Sequence, residues 1–336
     1  PALFSAAEPF MAAGVPRLHP WALAEAALAY GKAASGCVGV LAAVERQLLA
    51  SASAAAALGA GDGAKLLAGF AAARFVPKKE QLKMLARAMH GGLAELPDSL
   101  LVAAAGALAR VAAVGGCGGS LRAELRDEVL RRAPRLSADE AATSAAALAA
   151  LGELDRDSLQ ALAGRLPAAE PGEGPSPLSP ALLPGLYLAH LAAAAGKGGG
   201  LPSGLLAAAR RRWMAESAAS DAFLVEVTET AESLALEALP NHRTPDGLLL
   251  LDVLVTDRGT GEQCALQLAR AKDLSAAGVA GAELGHSALR RRVTEATQGL
   301  LVGLLRQSDW ACAGRKAERA AVLIKAIEAA LRPAPS

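Results

Sequence analysis

Apolar residues recur every three or four positions through most of the first 218 residues, and the runs are broken at short intervals by Gly, Pro or a capping residue. That period puts the apolar side chains on one stripe of an α-helix. It predicts helices in pairs: His19–Lys32 with Val38–Leu49, Asp62–Arg74 with Lys78–His90, Pro97–Val114 with Ser120–Arg132, and Ser137–Leu151 with Asp157–Leu166. The first member of each pair opens near residue 20, 62, 97 or 137, a spacing in the range of helical-hairpin solenoids. Matching places also look alike. Gly63-Ala64-Lys65-Leu66-Leu67-Ala68-Gly69-Phe70 shares its cadence with Ser99-Leu100-Leu101-Val102-Ala103-Ala104-Ala105-Gly106. Small residues in mid-helix let neighbours approach, and leucines fill the space between pairs.

Pro, Gly, Glu and Ser follow one another quickly after Ala168, the composition of a linker. A further helix pair is expected at Leu186–Ala195 and Leu205–Ser217. From Ala219 the pattern changes. A helix over Ala219–Ser233 precedes a short extended run, Leu234–Ala238, and a turn over Asn241–Gly247. Strands are predicted at Leu248–Val255 and Gln263–Leu268 about the turn Asp257–Gly261, then a helix at Ser287–Thr297, a strand at Leu300–Leu305 and a closing helix at Lys316–Leu331. The expected organisation is an extension (1–17), hairpin repeats (18–168), a linker (169–185), one more helix pair (186–218) and a small α/β domain (219–336, core 244–332). The fold class is mostly α, a solenoid followed by an α/β module.

Composition sharpens this picture. Hydrophobic residues make up 53% of the chain but aromatics only 3%, so Ala and Leu supply the core and helices can pack closely. Formal net charge is +1, and neither half is a polyelectrolyte, so binding to nucleic acid requires local patches. Cys37, Cys117, Cys264 and Cys312 lie far apart without metal-ligand spacing, which argues against a metal site or disulfide framework and suits a reducing intracellular or organellar compartment. No apolar run approaches the roughly 20 residues of a membrane span. The start at Pro1 in place of Met is expected of a processed or trimmed product.

Two patches could meet RNA. Arg210-Arg211-Arg212 adjoins Trp213, so that guanidinium groups could pair with phosphates while the indole stacks on a base. Arg290-Arg291-Arg292 opens a predicted helix and offers forked donors suited to phosphate, with internal pairing to Asp252 or Glu295 as the competing use. Three adjacent side chains on a helix cannot share one direction, so one is expected to be structural and another exposed. The glycine-rich Gly115–Ser120 lacks the Gly-Lys-Ser/Thr ending of a phosphate loop and reads as a turn between repeats. His286 reads as a helix-start residue, and no nucleophile has a recognisable partner.

Thr244-Pro245-Asp246-Gly247 with Leu251-Asp252-Val253, Leu284-Gly285-His286-Ser287 with Leu289-Arg290-Arg291-Arg292, and Ser308-Asp309-Trp310 together resemble a RAP domain over residues 244–332. The helix pairs over residues 18–218 are similar to octotricopeptide or FAST-kinase-like repeats. The resemblance implies a restriction-endonuclease-like fold for the terminal module and a role in organellar RNA binding. It also raises metal-dependent cleavage, which needs clustered carboxylates. Asp252 could be the first. The facing position is Gln267, a poor ligand for a hard cation, and Ala269 stands where another acid often follows. Lys272 and Asp273 fall at the wrong phase. Asp252 is therefore expected to be structural, hydrogen-bonded to neighbouring backbone or to an arginine of the later triplet.

The expectation is a non-catalytic protein without cofactor or metal. It would bind ribosomal RNA as a component of an organellar ribosome, mitochondrial in preference to chloroplast, beside other ribonucleoprotein proteins and away from membranes. The alternatives are a trans-acting factor for one organellar transcript and a protein-interaction scaffold, the latter favoured by the near-zero net charge.

Overall fold

The computed structural model describes residues 2–33, 38–111, 118–167, 178–194, 200–218, 221–279 and 281–331. The protein is mostly helical, with a small mixed sheet near its C-terminus. In chain order the first part comprises α1 (Ala2–Gly14), α2 (Pro20–Ala33), α3 (Val38–Ala50), α4 (Ala52–Ala56), α5 (Ala60–Ala72), β1 (Phe75–Val76), α6 (Lys79–Met89), α7 (Asp98–Val111), α8 (Gly119–Arg132), α9 (Ala138–Leu151), α10 (Arg156–Ala163), α11 (Leu183–Ala194) and α12 (Ser203–Ser217). The second part comprises α13 (Ala222–Ser233), β2 (Leu236–Arg243), β3 (Leu250–Asp257), β4 (Gln263–Ala269), β5 (Ala277–Gly278), α14 (Gly285–Gln298), β6 (Leu301–Arg306), α15 (Gln307–Cys312) and α16 (Lys316–Leu331).

Helices α2, α5, α7, α9 and α11 pack each on the next, while α3, α6, α8 and α10 pack on the preceding helix of their own pair. A leucine stands just before or within the turn leading into each helix of the row: Leu18, Leu58, Leu96, Leu136 and Leu178, the last four buried. The helix starts are locally encoded. At α9, Ser137 accepts from the Glu140 amide while Glu140 returns a carboxylate bond to the Ser137 amide, which satisfies two otherwise orphaned donors. Glycine sets the closest approach: a Cβ on Gly31 would lie 2.1 Å from the Gly69 carbonyl oxygen, and one on Gly69 would lie 2.3 Å from that of Ala27, so α2 and α5 cross backbone on backbone. Gly106 of α7 has only the Thr143 methyl nearby, at 3.8 Å, so the approach loosens along the row.

Three differences from the sequence reading have clear causes. Residues expected as an extension form α1, held by Phe4 edge-on to Tyr30 at 5.0 Å and by Glu8, which accepts from the Gly39 amide. The expected linker ends early because Pro184, which marked it, sits in the first turn of α11, where a missing amide hydrogen costs nothing. Strand β2 continues to Arg243 through the expected turn, with Asn241 taking positive φ, as Asn tolerates, and His242 pairing with Leu251. Of the glycine-rich segment 115–120, residues 115–117 lie outside the described residues and Gly119 and Ser120 open α8.

The four-stranded sheet has the order β2-β3-β4-β6, antiparallel except for the parallel β4–β6 pair, which α14 connects. Alternation decides its two faces. Val253, Val255, Leu266 and Leu268 share a core with Phe223, Trp310 and Leu323 of α13, α15 and α16. Asp252 and Gln267, one position along, face α14. That helix is shared: Leu289 and Val293 belong to the same core as the helical row, and α14 packs on α7, α9 and α11. A second tie is the parallel pairing of β1 with β5, two short strands about 200 residues apart in sequence.

At Gly285 the backbone of α14 lies directly on that of α7. A Cβ there would sit 1.8 Å from the Ala109 carbonyl oxygen of α7. Its φ is not in the left-handed region, so Gly285→Ala tests the contact alone. The substitution is expected to push α14 off α7, at a cost of about 1–3 kcal/mol typical of overpacking. A thermal melt should show a fall of several degrees; an unchanged melting temperature would refute this packing.

Candidate nucleic-acid interface

The two arginine triplets and Asp252 meet at the junction of the parts. Strand β3 carries Asp252, 3% exposed, and the adjacent β4 carries Gln267. Helix α14 brings His286, Ser287 and Arg290 over them. Arg290 donates from Nη2 to Asp252 Oδ1 at 2.9 Å, from Nη1 to Oδ2 at 3.2 Å and from Nη2 to the Leu250 carbonyl at 3.0 Å. The Leu268 amide donates to Asp252 Oδ2 at 2.8 Å. The forked guanidinium thus lies on the carboxylate face a cation would use, and a backbone amide takes a further lone pair. Gln267 Nε2 donates to the Ser287 carbonyl at 3.1 Å and to its hydroxyl, which in turn donates to Glu283. Beside this pair opens a cleft of about 150 Å³ lined by Trp213, Arg270, Lys272, Asp273 and His286.

His286 lies in the first turn of α14, with Nε2 2.9 Å from Asp273 Oδ1. Burial works against the Asp273 carboxylate, yet the bonds from His286 and from the Arg270 amide hold its pKa below the ordinary aspartate value. Among the described residues no group of three or more His, Cys, Asp or Glu side chains could hold a metal ion. Cys264 is buried and its thiol is pushed up to about 11, while Cys312 is exposed; Cys37 and Cys117 lie outside the described residues. No described helix is long and apolar enough to cross a membrane.

Most of the seven residues expected to meet RNA are used inside the protein. Arg291 pairs with Glu283 at 3.1 Å and Glu295 at 3.8 Å. Arg292 reaches the carbonyls of Ala149 and Ala150, capping the open C-terminal end of α9 across more than 140 residues. Arg210 caps the Gly247 carbonyl, beside Tyr187, whose hydroxyl donates to the Leu248 carbonyl at 2.7 Å. Trp213 is 3% exposed, 5.5 Å from the Tyr187 ring and 5.9 Å beneath Arg290. An indole enclosed in this way cannot stack on a base, which corrects the role expected of it. Arg212 is exposed but paired with Glu216 at 2.7 Å. Arg211 alone of the seven is exposed with no ion-pair partner among the described residues.

The largest set of unpaired cations lies elsewhere. Arg46 of α3, Lys78, and Lys79, Lys83 and Arg87 of α6 are all exposed, and none has an ion-pair partner among the described residues. A local signal was available: from Gly63 to Ala94 the chain holds six Lys or Arg and one acid, Glu80. Halving the chain averages that excess away. In comparison with known proteins, no family model matches the chain and no curated protein matches it.

Proposed function

We propose that this protein is a non-catalytic RNA-binding component of an organellar ribonucleoprotein, a mitochondrial ribosome in preference to a chloroplast one, where it binds and stabilises ribosomal RNA beside other ribosomal proteins. The proposal includes the finer fold reading. The row of helices, with its recurring leucine and near-regular spacing, is a hairpin-repeat solenoid of the octotricopeptide or FAST-kinase-like kind. The terminal module, with its antiparallel strands, parallel crossover through α14 and carboxylate on β3, is RAP-like.

The observation that carries the non-catalytic reading is the Asp252–Arg290 pair facing Gln267. A nuclease site of this type keeps its first carboxylate for a hard cation and sets a second one beside it. Here the first is bonded to a guanidinium and an amide, and the second is a neutral amide held by Ser287. RNA cleavage in Mg²⁺ is therefore expected to be at background.

A protein-interaction scaffold is the second reading, favoured by the internal use of Arg210, Arg290, Arg291 and Arg292. Ultraviolet crosslinking of the native protein in its organelle, with sequencing of attached RNA, separates the readings. Ribosomal RNA crosslinked at one or two discrete helices, with co-sedimentation with a ribosomal subunit at moderate salt, is the expected result. A single messenger or noncoding transcript would mean a dedicated maturation factor, and no RNA above background would leave the scaffold.

A further inference from the structure

The exposed side of α6 differs from the charged faces of α8 and α14 in how its cations are used. On α8, Arg126, Arg131 and Arg132 all pair with acids, and on α14 so do Arg290 and Arg291. On α6, Lys79, Lys83 and Arg87 follow one another at four-residue spacing, which aligns them along one side of the helix at steps of about 6 Å. None of the three has an ion-pair partner among the described residues. Glu80, the acid of this helix, is one residue off the stripe.

The opposite side of α6 is fixed. Gln81, Leu82, Leu85 and Met89 are buried against the helical row, so the cationic side is presented by a rigid element. The helix entry is also held: buried Glu45 of α3 accepts from the Lys78 amide at 2.8 Å. That bond brings Arg46, the next residue of α3, beside the start of the stripe. All the fully exposed side chains from Lys78 to His90 are charged or histidine, with no aromatic or large aliphatic group among them. A membrane-binding helix would need such groups to insert. A surface dominated by evenly spaced cations, with Glu80 as the one exposed acid from Lys78 to His90, fits the repeating charge of a nucleic-acid backbone.

We propose that the stripe Lys79–Lys83–Arg87, extended by Lys78 and Arg46, is the surface that holds the phosphate backbone of RNA, and that Arg210, Arg290, Arg291 and Arg292 are internal struts. This rests on the RNA-binding reading above and gives that reading its contact surface. Binding there is electrostatic and indifferent to base sequence. Sequence or structural selectivity has to come from other groups.

The test uses the full chain and a 20-nucleotide single-stranded RNA of mixed sequence, titrated at several salt concentrations. For single strands the slope of log K against log salt is about −0.7 for each phosphate neutralised. The triple variant Lys79→Ala/Lys83→Ala/Arg87→Ala is expected to bind at least tenfold more weakly at moderate salt, with a slope shallower by about 2. Lys79→Arg/Lys83→Arg/Arg87→Lys should keep both affinity and slope. The substituted side chains are exposed, so circular dichroism and the melting temperature should match the unsubstituted protein. If that protein binds and the triple alanine variant binds equally well with the same slope, the surface is wrong while the RNA-binding reading stands. If the unsubstituted protein fails to bind even at low salt, both fall.

Discussion

Replacing Arg132 by Met is expected to lower the unfolding free energy by about 3–5 kcal/mol, the range for breaking a buried ion pair from one side. Arg132 is 1% exposed, and all five guanidinium N–H donors are used. Nε bonds Glu128 Oε1, Nη1 bonds Asp98 Oδ1 at 2.7 Å and the Leu96 carbonyl, and Nη2 bonds the carbonyls of Leu93 at 3.0 Å and Ala94 at 2.9 Å. One side chain of α8 thereby holds the turn before α7 and the first residue of α7. Met fills comparable volume but removes five donors at once, leaving Glu128 to Arg131 and Asp98 to Arg135. Lys supplies a point charge in place of the fork, so Arg132→Lys should recover only part of the loss. Urea unfolding measures both, and a loss below about 1 kcal/mol would show that this network contributes little.

The same network has a pH signature. Hydrogen bonding to Arg132, with Arg135 beside it, lowers the Asp98 pKa despite the opposing effect of burial, and Arg131 and Arg132 do the same for Glu128. A carboxylate whose folded pKa is depressed contributes stability that is fully present above its unfolded pKa and lost as pH falls through the folded value. Acid destabilisation from this site therefore belongs to the range at and below ordinary carboxylate values, and it should shrink in the Met variant.

Much of the helical row is legible in the sequence because the information is local. The apolar period, the Ser137 capping box and the small residues at Gly31 and Gly69 all act within one helix or between neighbours. The roles of the arginines are not local. Arg292 finds its acceptors at Ala149 and Ala150, Arg290 its acid at Asp252, and Arg210 its carbonyl at Gly247. A run of three arginines looks the same whether its partners are phosphates or distant carbonyls. The β1–β5 pairing escapes for a related reason: two residues on each side carry no period, and only the fold brings them together. The expectation for Asp252 agrees with the structure because burial of a lone acid on an apolar strand demands a partner, here Arg290 and the Leu268 amide. The α6 stripe is legible in retrospect, since charge density over thirty residues shows what a whole-chain sum conceals.

The Asp252–Arg290 pair should behave as one unit. Arg290→Met leaves a carboxylate 2% exposed with the Leu268 amide as its remaining hydrogen-bond donor, and Asp252→Leu leaves a guanidinium over Trp213 with one carbonyl acceptor, Leu250. Each is expected to cost about 3–5 kcal/mol. The double variant exchanges the pair for apolar side chains in contact with Trp213 and should recover most of that loss, giving a coupling energy of about 5 kcal/mol or more in a double-mutant cycle followed by urea unfolding. Additive losses would show that the two side chains act separately. The functional readout discriminates further. If Arg290 merely blocked a latent nuclease, removing it would expose Asp252 and allow Mg²⁺-dependent cleavage. Because the facing residue is Gln267, Arg290→Met is expected to remain inactive on RNA, and cleavage that appears in this variant and vanishes on adding Asp252→Asn would overturn the non-catalytic reading. RNA affinity should follow the α6 stripe and stay unchanged in the refolded double variant, since a guanidinium engaged with Asp252 and the Leu250 carbonyl has little left to offer a phosphate.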